Sequence, residues 1–113
     1  MNISILSGTL IAMTREDEII RGVVDILKRI LDPSKIFLFG SRVKGTGNKH
    51  ADFDFAVDCS RPRVDVEREI SEKIEEVSGL YKVDIVYLGS VDEGFKKIVL
   101  KTGRIMYERG TQI

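Results

Sequence analysis

The sequence predicts an α+β fold, an α/β sandwich in which a mixed sheet of about four strands carries helices packed on it. Three observations predict it. Two stretches, at 19–31 and 66–77, repeat apolar residues with the period of a helix. Two apolar runs, at 36–39 and 80–88, are strand-like. Between them Asp52-Phe53-Asp54-Phe55-Ala56-Val57 alternates with period two. Strands interleaved with helices around one core give this class, and 113 residues supply one core rather than two. The expected organisation is an N-terminal extension or arm at 1–12 and a single domain at 13–113.

The arm, Met1 to Ala12, carries Ile3, Ile5, Leu6, Leu10 and Ile11 but no positive charge, so it lacks the front of a secretory signal. It is also shorter than the roughly 20 apolar residues that span a bilayer. Met13 directly precedes a strong helix start, which suggests translation from Met13; the alternative is a true arm that docks on a partner or adds an edge strand. Thr14 with Asp17 three residues later is a variant capping box. Glu16, Asp17 and Glu18 place negative charge where the helix dipole favours it. A helix is expected from about residue 15 until Asp32-Pro33 stops it.

Ile36-Phe37-Leu38-Phe39 reads as a strand buried on both faces and ending at Gly40. Residues 40–50 have the composition of a loop or short helical turn. The next strand puts Asp52 and Asp54 on one face and Phe53 and Phe55 on the other. The short link between these two strands predicts antiparallel pairing. A second helix ends near Gly79, Leu80 to Leu88 forms a strand containing Asp84, Val91 to Lys101 a third helix, and Arg104 to Glu108 a last strand.

Composition narrows the function. Hydrophobic residues are 42% and charged residues 32%, the balance of a folded chain. Eighteen basic and eighteen acidic residues leave no excess for gripping a phosphate backbone, so extended nucleic acid is not an expected partner, and neither is a membrane. Cys59 is the one cysteine, which fits a reducing compartment, cytoplasm by default, and a half-buried strand-end thiol.

Three elements can carry chemistry. Gly40-Ser41 at a strand end suits a phosphate, since glycine admits close approach and Ser41 offers a hydroxyl and an N–H; it also fits a plain turn. The carboxylates of Asp52 and Asp54 lie roughly 6 to 7 Å apart along a strand and can close around one or two hard cations, or can simply face solvent. Without a cation, like charges about 4 Å apart cost on the order of 4 kcal/mol at an effective dielectric of 20. Asp84 interrupts Val83-Asp84-Ile85-Val86-Tyr87. On a central strand, as expected here, it needs a partner or a metal; on an exposed edge it needs neither. His50, the one histidine, reads as an exposed loop residue or as a metal or proton-transfer group. Phe53, Phe55, Tyr81, Tyr87 and Tyr107 read as packing residues. Arg61 and Arg63 read as solvated, or as reaching a nucleotide or an acidic partner surface.

Together these parts suit transfer of a nucleoside monophosphate from a triphosphate to a hydroxyl, with two magnesium ions between carboxylates and phosphates. Asp52 and Asp54 would hold both ions, and Asp84 would complete the site at the acceptor hydroxyl and serve as its base.

The stretch Phe39-Gly40-Ser41-Arg42-Val43-Lys44-Gly45-Thr46-Gly47-Asn48-Lys49-His50-Ala51-Asp52-Phe53-Asp54 resembles the signature of the polymerase-beta-type nucleotidyltransferases: Gly-Ser, ten residues, then Asp-x-Asp. Within them it is similar to the minimal nucleotidyltransferases, the antitoxin half of HEPN/MNT pairs, over roughly residues 13 to 109, with Asp84 and the closing Gly103-Arg104-Ile105-Met106-Tyr107-Glu108 included. The resemblance implies the nucleotidyltransferase fold and two Mg2+ ions held by Asp52, Asp54 and Asp84. It implies ATP as nucleotide, bound at Gly40 and Ser41 with Arg42 and Lys44 beside the triphosphate. It also implies a hetero-oligomer with a HEPN partner, an all-helical RNase toxin neutralised by adenylylation of a tyrosine, by occlusion, or by both. Ala51 departs from the pattern, since many relatives carry Ser before the first Asp. A third reading is a small-molecule nucleotidyltransferase, similar to the antibiotic adenylyltransferases, which normally carry an additional helical domain.

Overall fold

The computed structural model describes residues 3–6, 9–40 and 52–110. Strands β1 (Ile3–Leu6) and β2 (Thr9–Ala12) pair antiparallel as a separate two-stranded sheet, so this arm pairs with itself and adds no edge to the main sheet. Helix α1 (Arg15–Leu31) starts as the capping box predicts: Asp17 N–H donates to Thr14 Oγ1 at 3.1 Å and Thr14 N–H to the Asp17 carboxylate at 3.4 Å. Asp32 adopts a left-handed φ of 48° and ends the helix just before Pro33.

The main sheet contains β3 (Lys35–Phe39), β4 (Phe53–Val57), β5 (Val83–Tyr87) and β6 (Arg104–Glu108), in the order β5-β4-β3-β6. It is mixed, as expected: β3 pairs antiparallel with β4 and with β6, while β4 and β5 run parallel. A parallel pair needs a long crossover, which here contains α2 (Val64–Ser78). One face of the sheet, with Ile36, Leu38, Phe53, Phe55 and Val57, shares its core with Ile19, Val23, Leu27, Ile70 and Ile74 of α1 and α2. The other face, with Phe37 and Ala56, packs on Val99 of α3 (Glu93–Thr102). Among the described residues no helix is long and apolar enough to cross a membrane.

Three expectations shift. The strand expected at Leu80 to Leu88 spans only Val83–Tyr87, because the chain turns after Gly79 (φ 61°), Tyr81 N–H bonds Ser78 O at 3.1 Å, and Leu80 stands fully exposed. The third helix starts at Glu93, two residues late, because Leu88–Ser90 form a 3-10 turn and Asp92 caps the helix by accepting Phe95 N–H at 2.9 Å. Most relevant to function, β5 is an edge strand of the described sheet, not the central strand expected for Asp84.

Candidate active site

Alternation along β4 separates the core from the site. Phe53, Phe55 and Val57 are fully buried beneath α1 and α2. Asp54 and Ala56 point to the opposite face; Asp52, in line with them, immediately precedes the strand. On that face α3 covers the end at Ala56 and Val86, with Phe95 and Val99 in the same apolar cluster. Phe95 also meets Phe39 edge to face with centroids 6.0 Å apart, and Phe39 pairs with Asp54, so the half-buried carboxylates lie beside this cluster.

The register brings in the third acid. In the parallel pairing Asp54 stands opposite Asp84, and neighbouring strands lie only about 4.8 Å apart. Asp52, Asp54 and Asp84 are thus gathered on one face. An edge strand lowers the cost of Asp84 because its carboxylate keeps access to water, so burial alone does not explain this acid. Its placement beside Asp54 does.

Like charges leave a mark on the central member. The Asp54 carboxyl is held above the usual carboxylate range, first by burial, then by Asp84 and Asp52, with Lys82 acting in the opposite direction. Lys82 Nζ sits 4.0 Å from Asp52 Oδ2 and 3.8 Å from Asp84 Oδ2. All three of these side chains are roughly half-exposed or more, so such pairs are weak and replaceable. Lys82 was not among the residues singled out in the sequence, yet period-two reasoning could have found it: it precedes Asp84 by two, as Asp52 precedes Asp54.

Among the described residues no three His, Cys, Asp or Glu side chains close into a cage around one point. The donor chemistry nevertheless fits a hard cation. Magnesium commonly takes one or two carboxylates, keeps several waters and completes its shell with substrate phosphates, so an open face of acids suits it better than a closed cage.

Gly40 has a more specific task than admitting a ligand. Its φ is 81°, in the left-handed region, and a Cβ there would lie 2.6 Å from Asp54 Oδ2. Glycine is required both by the backbone turn after β3 and by the carboxylate packed against it. Ser41, Arg42, Lys44, His50 and Ala51, all named from the sequence, lie outside the described residues.

Other expectations hold as packing. The rings of Phe53 and Tyr81 meet edge to face with centroids 5.7 Å apart, and Lys28 lies over Tyr107 at 4.6 Å. The phenol of Tyr87 is pushed up to about 12 by burial, then by Glu67 and Cys59, against the opposing effect of Arg61, so it remains protonated. Burial, and then Asp58, raises the Cys59 thiol, which is half-buried just past β4. Arg61 and Arg63 make exposed ion pairs with Glu67 and Asp65.

This arrangement has close parallels. Residues 22–112 match the family model described as polymerase beta, nucleotidyltransferase. The chain is 28% identical over 88 residues to a probable protein adenylyltransferase MntA of Haemophilus influenzae (strain ATCC 51907 / DSM 11121 / KW20 / Rd), covering 77% of each protein. Among solved structures it is similar to a toxin–antitoxin complex with AMP-PNP, with a TM-score of 0.66 at 23% identity over 80% of this chain and 74% of that one. It is also similar to a mutant MntA–HpeT toxin–antitoxin complex, with a TM-score of 0.64 at 25% identity over 80% of this chain and 72% of that one. With the family model matching most of its length, the chain belongs to the polymerase beta nucleotidyltransferase family and is a minimal nucleotidyltransferase.

Proposed function

We propose that this nucleotidyltransferase moves AMP from ATP to a hydroxyl of a partner protein, a tyrosine of a HEPN-family helical toxin, and so acts as the antitoxin of a hetero-oligomeric pair. The observation that carries this reading is the register Asp54 opposite Asp84 beside Asp52, three carboxylates on one open face. The adenylyltransferase relative and the toxin–antitoxin structures support the acceptor class.

In this reading Asp52 and Asp54 hold two Mg2+ ions, with Asp84 contributing to the same metal site. Mg2+, when bound, neutralises phosphate charge and acidifies the acceptor hydroxyl. Asp84 takes the hydroxyl proton as the acceptor oxygen bonds to the α-phosphorus. The α-phosphorus bond to the bridging oxygen breaks, and pyrophosphate leaves. Gly40 and Ser41 seat the triphosphate tail, with Arg42 and Lys44 alongside.

The experiment is incorporation of α-labelled ATP into the cognate HEPN chain. Label appears with magnesium and vanishes in Asp52→Ala or Asp54→Ala; no label with any of the four nucleotides refutes the reading. A second reading is favoured by Lys82, whose ammonium already offsets two of the acids: an antitoxin that binds nucleotide without transfer and neutralises its partner by occlusion. A triple Asp→Ala variant that still neutralises the toxin would support it.

Lys82 supplies a further prediction. As an exposed competitor worth about 0.2 to 1 kcal/mol, its replacement by Met lowers the magnesium concentration for half-maximal activity by roughly 1.4- to 5-fold. The check is a magnesium titration at saturating ATP. An unchanged or raised half-point means that Lys82 serves the nucleotide and does not compete with the cation.

A further inference from the structure

A cleft of about 550 Å³ lies between α2 and β5. Its lining includes Val83, Asp84 and Ile85 in succession, after Tyr81 and Lys82. Successive strand residues point to opposite faces, so a cavity touching all of them runs along the edge of the strand and not over one face. The edge itself is unpaired among the described residues, since β5 ends the sheet.

Backbone direction can be read from one bond. Phe53 N–H donates to Lys82 O at 3.0 Å, so Lys82 and, by alternation, Asp84 turn their peptide groups toward β4. Val83 and Ile85 therefore present N–H and C=O outward, into the cleft. Both side chains are only partly buried. Four backbone groups in a row along a cleft form a template for another strand.

Charge defines what fits. The helix that roofs the cleft, α2, has six acidic and two basic residues, and the cleft lining carries Glu67, Glu75 and Asp84 against one lysine, Lys82, so its charge is net acidic. The same Asp84 belongs to the candidate active site, so cleft and site are continuous.

We propose that the edge of β5 receives an extended, basic peptide segment of the acceptor protein as an added strand. The acceptor residue opposite Asp84 then lies on the face that holds the three carboxylates, one strand spacing of about 4.8 Å away. Backbone bonds to Val83 and Ile85 set the depth of the segment, Glu67 and Glu75 select its charge, and side-chain alternation aims the hydroxyl. This rests on the reading of the acceptor as a protein, but it is tested without nucleotide, so failure of docking and failure of transfer are separate results.

The probe is a synthetic heptapeptide alternating Lys and Val around one central Tyr, added to the full chain without ATP, with amide hydrogen exchange followed residue by residue by NMR. The expected result is at least a ten-fold slowing at the Val83 and Ile85 amides, with the Asp84 amide, already directed at β4, unchanged. The same peptide N-methylated at alternate residues, which keeps its side chains but loses its donors, binds at least ten-fold more weakly, and so does the version with Glu in place of Lys. No binding at millimolar peptide, binding that leaves Val83 and Ile85 exchanging freely, or equal binding of the N-methylated peptide overturns the proposal. Slowing at the two amides that grows with protein concentration alone also overturns it, because the edge would then belong to a second copy of this chain.

Discussion

Replacing Asp54 by Asn reduces nucleotidyl transfer on the order of 10³-fold or more and leaves the fold as stable as before, or more so. Asp54 is the middle acid, opposite Asp84 and two residues from Asp52, and in the proposed mechanism it is a direct ligand, worth more than the 10–100-fold typical of groups that only orient ligands. Stability moves the other way. Burial and two like charges raise the Asp54 carboxyl above its ordinary value of 3.8, so at neutral pH, without metal, the ionised group opposes folding. Asn removes that opposition. The sign follows from linkage: as pH falls through the raised folded value toward the unfolded one, the native state takes up the proton first and wild type gains stability relative to Asp54→Asn. Thermal unfolding in chelator should therefore show a melting advantage for the variant at pH 7 that shrinks under acid. A variant that melts clearly lower than wild type at pH 7 would show that the carboxylate holds the fold together.

The second large effect is at Gly40. Gly40→Ala puts a methyl at φ 81°, which costs an L residue roughly 1–2 kcal/mol. The new Cβ would also lie 2.6 Å from Asp54 Oδ2, so the carboxylate must swing away. Displacement of a reacting group by about 1 Å can cost about 10²-fold. Transfer should fall by that order, with the loss partly recovered at high magnesium because the displaced ligand is still present. The measurement is kcat against magnesium for wild type and Gly40→Ala. A fall in melting temperature with unchanged kcat would confine Gly40 to the turn.

The two effects meet at one contact, and half of it was visible in the chain. Alternation from Asp52 to Val57 showed that the acids share a face, and spacing tied them to Gly40-Ser41. That Gly40 faces Asp54 needed the pairing of β3 with β4, in which Phe39 is opposite Asp54. Local patterns also located α1, because its start is written in Thr14 and Asp17 and its stop in Asp32-Pro33.

What the chain could not show depends on strand order. Val83 to Tyr87 reads as central because its residues are apolar on both faces. They are apolar because α2 lies near one face and the Phe37–Val99 cluster packs on the other, even at the sheet edge. Leu80 extended the apparent strand because hydrophobicity does not report that a left-handed Gly79 turns the chain outward. Lys82, which period two places on the face of Asp84, becomes recognisable as the counter-ion of Asp52 and Asp84 through its distances.

The central claim is that Asp52, Asp54 and Asp84 make one cation site on the open face of the sheet. Titration of Mn2+ into the protein with a non-hydrolysable ATP analogue, followed by paramagnetic broadening of backbone amides, tests it most directly. Amides of Phe53 to Phe55 and Val83 to Ile85 should broaden first. Those of β6, two strands away from β4, should broaden only later in the titration, and Asp54→Asn should abolish the effect. Broadening centred elsewhere, or unchanged in Asp54→Asn, would contradict it.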